Sequence, residues 1–89
     1  MECFVYRSPR RDLLYLYIPA EGDFSSVPDE LMATFGEPEP VMQLELTPER
    51  QLVRATGREI IDALRSHGFY LQTPPADHLE SERVIPKRV

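Results

Sequence analysis

The chain has 89 residues and a formal net charge of −5, and its composition of 42% hydrophobic and 28% charged residues is typical of one small soluble domain. An acidic balance disfavours generic binding to DNA or RNA, which normally requires a basic face. The single cysteine, Cys3, excludes an internal disulfide and a zinc site built from several cysteines. The first residues lack the order of a signal peptide, and no apolar run approaches the ~20 residues of a membrane span, so we expect a cytoplasmic protein without membrane contact.

Residues 3–18 contain the densest run of β-branched and aromatic side chains, and they predict a β-hairpin around which the remaining chain packs. The second strand of this hairpin, at 13–18, is apolar on both faces, which indicates that both of its faces are covered. Pro9 lies in the polar break at 8–12 and suits a turn, because it fixes its own φ and has no N–H to donate.

A short helix and a third strand follow the hairpin. Val27, Leu31 and Phe35 are spaced by four residues, which predicts the buried stripe of a helix with Pro28 at its first position. Residues 41–46 alternate between apolar and polar side chains, so they predict a half-exposed strand that fits the edge of a sheet.

The last elements are a second helix and a fourth strand. Thr56 and Glu59 have capping-box spacing, which predicts a helix that runs to about residue 66 or 67. Residues 69–72 predict a strand that the following prolines end. The order ββαβαβ indicates an α+β fold, a small α/β/α sandwich with a mainly antiparallel four-stranded sheet. We expect residues 1–76 to form a single domain and residues 77–89 to form a short C-terminal helix or a loose tail.

Three stretches of the sequence occur in an order and spacing that match a known family. They are Cys-Phe-Val-Tyr-Arg-Ser from Cys3, with Arg-Asp at 11–12 and Tyr-Leu-Tyr at 15–17; Asp-Phe-Ser-Ser-Val-Pro-Asp-Glu-Leu-Met from Asp23, with Phe-Gly at 35–36; and Gly-Phe-Tyr-Leu-Gln-Thr-Pro-Pro from Gly68. Together they resemble the YcgL family of small bacterial proteins over about residues 3–75. Phe69 and Ala76 depart from the family pattern of Tyr-Tyr-Leu-Gln followed by three prolines. The resemblance implies a compact bacterial α/β/α sandwich and brings no established activity with it.

Two arginine clusters form the first candidate site. The clusters lie at the hairpin tip (Arg7, Arg10 and Arg11) and around the start of the second helix (Arg50, Arg54 and Arg58). Guanidinium groups bind phosphate through a bidentate fork, and a helix N-terminus adds a partial positive charge. The alternative is two solvated basic surfaces that offset the 15 acidic residues. The sequence does not establish whether the two clusters meet in space.

Tyrosine, cysteine and histidine side chains offer weaker candidates. Sheet tyrosines stack on bases in some RNA-binding modules, but aromatic side chains on strands usually belong to a core; the candidates are Tyr6, Tyr15, Tyr17 and Tyr70. Cys3 with His67 or His78 would make a nucleophile and a base, or a zinc site, but no motif arranges these residues together. We therefore expect no catalytic residue, no metal site and no cofactor.

The function most consistent with these patterns is that of a non-enzymatic binding or adaptor domain that contacts a protein or an RNA-bearing complex through the arginine-rich hairpin tip. The acidic charge favours a protein partner over RNA. Tyr70 and Gln72 join the tip only if the last strand pairs with the hairpin, and the full set of predicted contacts is Arg7, Arg10, Arg11, Arg54, Arg58, Tyr70 and Gln72.

Two alternatives remain open from the sequence. One is a small enzyme or ligand-binding protein that acts on a phosphorylated small molecule through an arginine anion clamp. A pocket that joins Arg7 or Arg11 to Arg54 or Arg58 would favour this alternative. The other is self-association through the third strand as an exposed edge, so we expect a monomer or a weak dimer.

Overall fold

The structure is a computed structural model, and it describes residues 1–52 and 55–73. Its elements in chain order are β1 (Glu2–Arg7), β2 (Tyr15–Ile18), α1 (Asp29–Phe35), β3 (Glu39–Glu45), α2 (Gly57–His67) and β4 (Tyr70–Gln72). The strands form one antiparallel sheet in the order β3-β1-β2-β4. The predicted α+β fold with ββαβαβ order is confirmed, whereas the predicted C-terminal helix or tail lies outside the described residues.

The sheet carries a separate apolar core on each face, because alternate side chains of its strands point in opposite directions. On one face, Leu16 and Ile18 pack with Phe35 of α1. On the other face, Tyr17 packs with Ile60 and with further α2 side chains. The two-sided apolar pattern of the second strand therefore has the predicted cause, which is a helix on each side of the sheet.

The hairpin loop differs from its prediction at Leu13. This residue lies before β2, has a φ of 63°, and leaves 47% of its surface exposed, so its assignment to the second strand is wrong. The N–H of Ser8 donates to the carbonyl of Leu14 across 3.0 Å. This hydrogen bond closes the loop after β1, and β2 begins only after it, at Tyr15.

The remaining boundaries shift by small amounts. Pro28 has a φ of −59° and a ψ of 146°, so it occupies the N-cap position of α1. The prediction that it is the first helical residue is wrong by one position. β3 begins two residues earlier than predicted and ends at Glu45, and it lies at one edge of the sheet. Within residues 1–52 and 55–73, no helix is long and apolar enough to cross a membrane.

The start of α2 is fixed by its cap and by the preceding turn. Thr56 Oγ1 accepts a hydrogen bond from the N–H of Glu59 at 3.3 Å, and Glu59 Oε1 accepts one from the N–H of Thr56 at 3.0 Å, which confirms the capping box. The N–H of Gly57 also donates to the carbonyl of Arg50 at 2.7 Å. The turn at 47–50 is thereby held against the first residues of the helix.

Candidate functional site

The hairpin tip is organised by the buried hydroxyl of Ser8. Ser8 Oγ donates a hydrogen bond to the carbonyl of Phe35, the last residue of α1. The same oxygen accepts hydrogen bonds from the N–H groups of Arg10 at 3.1 Å and Arg11 at 3.0 Å. One side chain therefore shapes the tip backbone and attaches it to the end of a helix.

The three tip arginines differ in their contacts. Arg7 Nε donates to Glu39 Oε1 at 2.9 Å, in an exposed ion pair with the neighbouring strand. Arg10 packs its side chain along Gly36 and donates from Nη1 to the carbonyl of Ala33 at 3.4 Å, near the C-terminus of α1. The side chain of Arg11 is exposed and forms no ion pair with any residue in the described ranges.

An open cavity with a volume of about 680 Å³ lies beside the tip, and we call it the tip cavity. Leu13 lies in its wall together with Arg7, Arg11 and Tyr15. Leu13 is not among the predicted site residues because its apolar side chain continues the pattern of the following strand. No signal in the sequence marks the positive φ that turns this leucine outward.

Tyr70 and Gln72 lie on the same sheet face as Arg7, because β4 pairs with β2 and aligns Gln72 with Tyr15. Both side chains contact Tyr17, which is buried. Gln72 Oε1 accepts a hydrogen bond from the Tyr17 hydroxyl at 3.0 Å, and the rings of Tyr70 and Tyr17 meet edge to face with centroids 5.6 Å apart. These contacts hold Tyr17 in the core rather than presenting its ring for stacking.

The second arginine cluster is divided by the fold. Arg58 lines a separate concavity of about 280 Å³, together with Asp62 and Arg65 of α2, and this concavity shares no lining residue with the tip cavity. Arg54 lies outside the described residues. Arg50 instead lines a groove that also contains Tyr15, so of the two described members of this cluster it is the one that approaches the hairpin tip.

Cys3 is fully buried in the core under α2. Burial raises the pKa of its thiol from 9.0 to about 11, and the N-terminal ammonium and Arg50 partly oppose this effect. Since the folded-state pKa is raised, the protonated thiol favours the folded state below about pH 9, and this contribution is lost as the pH rises towards 11. His67 is exposed and His78 lies outside the described residues. Over the described part of the chain, no group of three metal-ligating side chains comes together.

We predict that Cys3 in the folded protein reacts with iodoacetamide at least about a hundredfold more slowly than in urea-unfolded protein at about pH 8, because the thiolate fraction falls tenfold for each unit of raised pKa. Mass spectrometry of timed samples measures both rates. Equal rates in the two states would show that the thiol is accessible and contradict its burial.

The model of the YcgL domain family matches residues 3–75. YcgL domain-containing proteins of Yersinia enterocolitica serotype O:8 and of a Yersinia pestis strain are each 49% identical to the chain over 75 residues, which cover 84% of this chain and 83% of each relative.

Proposed function

Because the chain belongs to the YcgL domain family, whose name assigns no activity, we propose its function from the geometry of the site. The proposed function is that of a non-enzymatic binding module that contacts a protein partner through the hairpin tip. The observation that carries this proposal is the position of Leu13. A bulky residue with a positive φ is rare and costs roughly 1–2 kcal/mol. Strained residues of this kind cluster at functional sites.

Protein-binding hot spots are enriched in tyrosine and arginine and lie in pockets that the partner fully desolvates, and the wall of the tip cavity contains Tyr15 and Arg11. Leu13 leaves 47% of its surface exposed and shares the wall of the tip cavity with Arg11. A partner that covers Leu13 removes apolar surface from water, which offsets the cost of the strained loop. Arg11 then supplies a charge-assisted hydrogen bond at the edge of the contact.

The anion-clamp alternative has less support from the same surface. Arg7 pairs with Glu39 and Arg10 contacts the end of α1, and Arg58 lines a concavity separate from the one that contains Arg11. The cavity wall also contains two carboxylates, Asp12 and Glu39. Negative charge in the wall raises the cost of bringing a phosphate into the cavity.

Leu13→Asn is expected to reduce partner binding about tenfold or more while leaving the fold intact. Asparagine tolerates a positive φ, so we expect the free energy of unfolding to stay equal or to rise by up to about 1 kcal/mol. Quantitative pull-downs from a lysate of the native bacterium, with and without ribonuclease treatment, measure binding, and urea unfolding followed by circular dichroism measures stability.

Arg11→Glu belongs to the same experiment and should also lose the partner, whereas the matched control Arg65→Glu, on the exposed side of α2, should retain it. A partner that binds Leu13→Asn as tightly as wild type would contradict the proposal. Material that is lost only after ribonuclease treatment would indicate RNA binding instead. Binding of a phosphorylated small molecule that depends on Arg11 and not on Leu13 would restore the anion-clamp alternative.

A further inference from the structure

Among the described residues, α2 leaves part of its face of the sheet uncovered at the end near the hairpin tip. The opening is a groove of about 360 Å³, which we call the sheet groove. Its floor is apolar, with Met42 and Leu52 beside the Tyr15 ring, and Arg50 and Gln72 also line it. Met42 leaves 56% of its surface exposed and Val41 leaves 43% exposed, so the floor reaches the edge of the sheet.

The edge strand β3 is built in a way that disfavours pairing with another strand. Val5 aligns with Met42 and Tyr6 aligns with Pro40, so Val41 is an extra residue that forms a β-bulge. A bulge disrupts the ladder locally, and proline has no N–H to donate to a new strand. Both features protect sheet edges from strand addition, so a partner of this region is better accommodated on the face than along the edge.

We infer that the sheet groove binds an extended segment of a partner polypeptide in which apolar side chains are flanked by carboxylates. This inference rests on the proposed function, because the sheet groove shares Tyr15 with the tip cavity and so extends the same contact surface. The apolar side chains would cover Met42 and Leu52, and the carboxylates would meet the cations at the two ends of the surface.

The charges around the groove favour a partner segment that carries negative charge. Arg50 lies at the groove itself, and its Nη1 donates to the carbonyl of Glu45 at 2.9 Å. Arg11 lies beyond Tyr15 in the tip cavity. Neither guanidinium forms an ion pair within residues 1–52 and 55–73, so each can donate hydrogen bonds to a carboxylate of a partner. Asp12 and Glu39 belong to the tip cavity, whereas Arg50 is the charged residue and no carboxylate is found among the described residues that line the sheet groove. On a chain of net charge −5, the sheet groove is therefore a local site for negative charge.

RNA fits the same groove poorly. Binding of single-stranded RNA relies on stacking of successive bases on exposed aromatic rings. Tyr17 is buried and hydrogen-bonded to Gln72, so among the described residues that line the groove the accessible ring is that of the half-buried Tyr15. Aliphatic and thioether side chains supply the rest of the floor, and they favour contact with apolar side chains.

The test is a selection of random 12-residue peptides displayed on phage against the immobilised full-length chain. We expect the enriched peptides to combine apolar residues with Asp or Glu. Their affinity is then measured by fluorescence anisotropy against variants of the chain. Met42→Ser and Arg50→Glu should each weaken binding about tenfold. Two controls should bind within about twofold of wild type: Gln43→Ser, on the same strand but the opposite face, and Arg65→Glu, in the separate concavity.

Several results would overturn the inference. These are the absence of enrichment, enrichment of basic or wholly polar peptides, and unchanged affinity for Met42→Ser. Sedimentation that shifts with concentration for wild type but not for Met42→Ser would assign the groove to a second copy. NMR signals of Met42 that respond to Leu79→Ser without peptide would assign it to the chain's own C-terminal residues.

Failure of this inference can be distinguished from failure of the proposed function. If Leu13→Asn and Arg11→Glu lose the partner while Met42→Ser leaves peptide affinity unchanged, the groove is not a peptide site and the tip remains the contact. If Leu13→Asn keeps the partner, the proposed function fails regardless of the peptide results.

Discussion

Gly57→Ala is expected to lower the free energy of unfolding by about 3 kcal/mol or more, although replacing glycine by alanine in a helix usually stabilises a protein by up to about 1 kcal/mol. The sign reverses because a Cβ on Gly57 would lie 1.8 Å from the carbonyl oxygen of Thr47. That oxygen belongs to the turn at 47–50 and accepts a hydrogen bond from the N–H of Arg50 at 3.1 Å. The clash is therefore with backbone that cannot move alone.

Relief of this clash requires α2 to move away from the turn. Two backbone hydrogen bonds would then be lost, from Gly57 to the carbonyl of Arg50 at 2.7 Å and from Arg58 to the carbonyl of Pro48 at 3.2 Å. Since small domains are stable by only about 5–15 kcal/mol, the variant should unfold at a clearly lower urea concentration. Arg50 would also shift, so we expect the sheet groove to bind peptides with lower affinity.

Urea unfolding monitored by circular dichroism tests this prediction. Ser66→Ala serves as the control, because Ser66 is exposed near the end of α2 and alanine there should be neutral or slightly stabilising. A Gly57→Ala protein as stable as wild type would show that the turn and the helix are not in the close contact described here.

Ser8→Ala is expected to lower the free energy of unfolding by about 2–4 kcal/mol, because it removes three hydrogen bonds at a buried position. The carbonyl of Phe35 loses its donor, and the N–H groups of Arg10 and Arg11 lose their acceptor. Ser8 is 8% exposed, so water cannot replace these partners without opening the tip. The position of Leu13 depends on the same loop, so partner binding should fall together with stability.

The same unfolding experiment tests Ser8→Ala. Ser25→Ala provides a matched control, because the Ser25 hydroxyl also forms a hydrogen bond, to Asp23 Oδ1 at 2.7 Å, but in an exposed position. We expect the control to change the free energy of unfolding by less than about 1 kcal/mol. Equal losses for the two variants would mean that Ser8 has no special role at the tip.

Local patterns in the sequence determined the elements of this fold. The two-sided apolar residues at 13–18 predicted a strand covered on both faces, and the structure places α1 and α2 on the two faces of the strand at Tyr15–Ile18. The spacing of Thr56 and Glu59 located the start of α2, because a capping box joins residues only three apart. These predictions succeed because strand alternation, helix stripes and caps depend on neighbours within a few positions of the chain.

The details of the site were decided by contacts between residues distant in sequence. Arg7, Arg10 and Arg11 read as one cluster, but Glu39 and the end of α1 engage the first two. The sequence predicts Leu13 as a strand residue, but in the closed loop it has a positive φ and lies outside the strand.

The groove and the constraint at Gly57 have the same origin. Arg50 reaches the groove beside Tyr15, whereas Arg58 lies on another surface. Gly57 has no room for a side chain because the turn at 47–50 folds back against it. The sequence by itself determined which segments form helices and strands, since short-range geometry and alternation of polarity act within each segment. Only the tertiary structure decided which charges remain available and which apolar side chains stay exposed, because these depend on the partners that packing brings together.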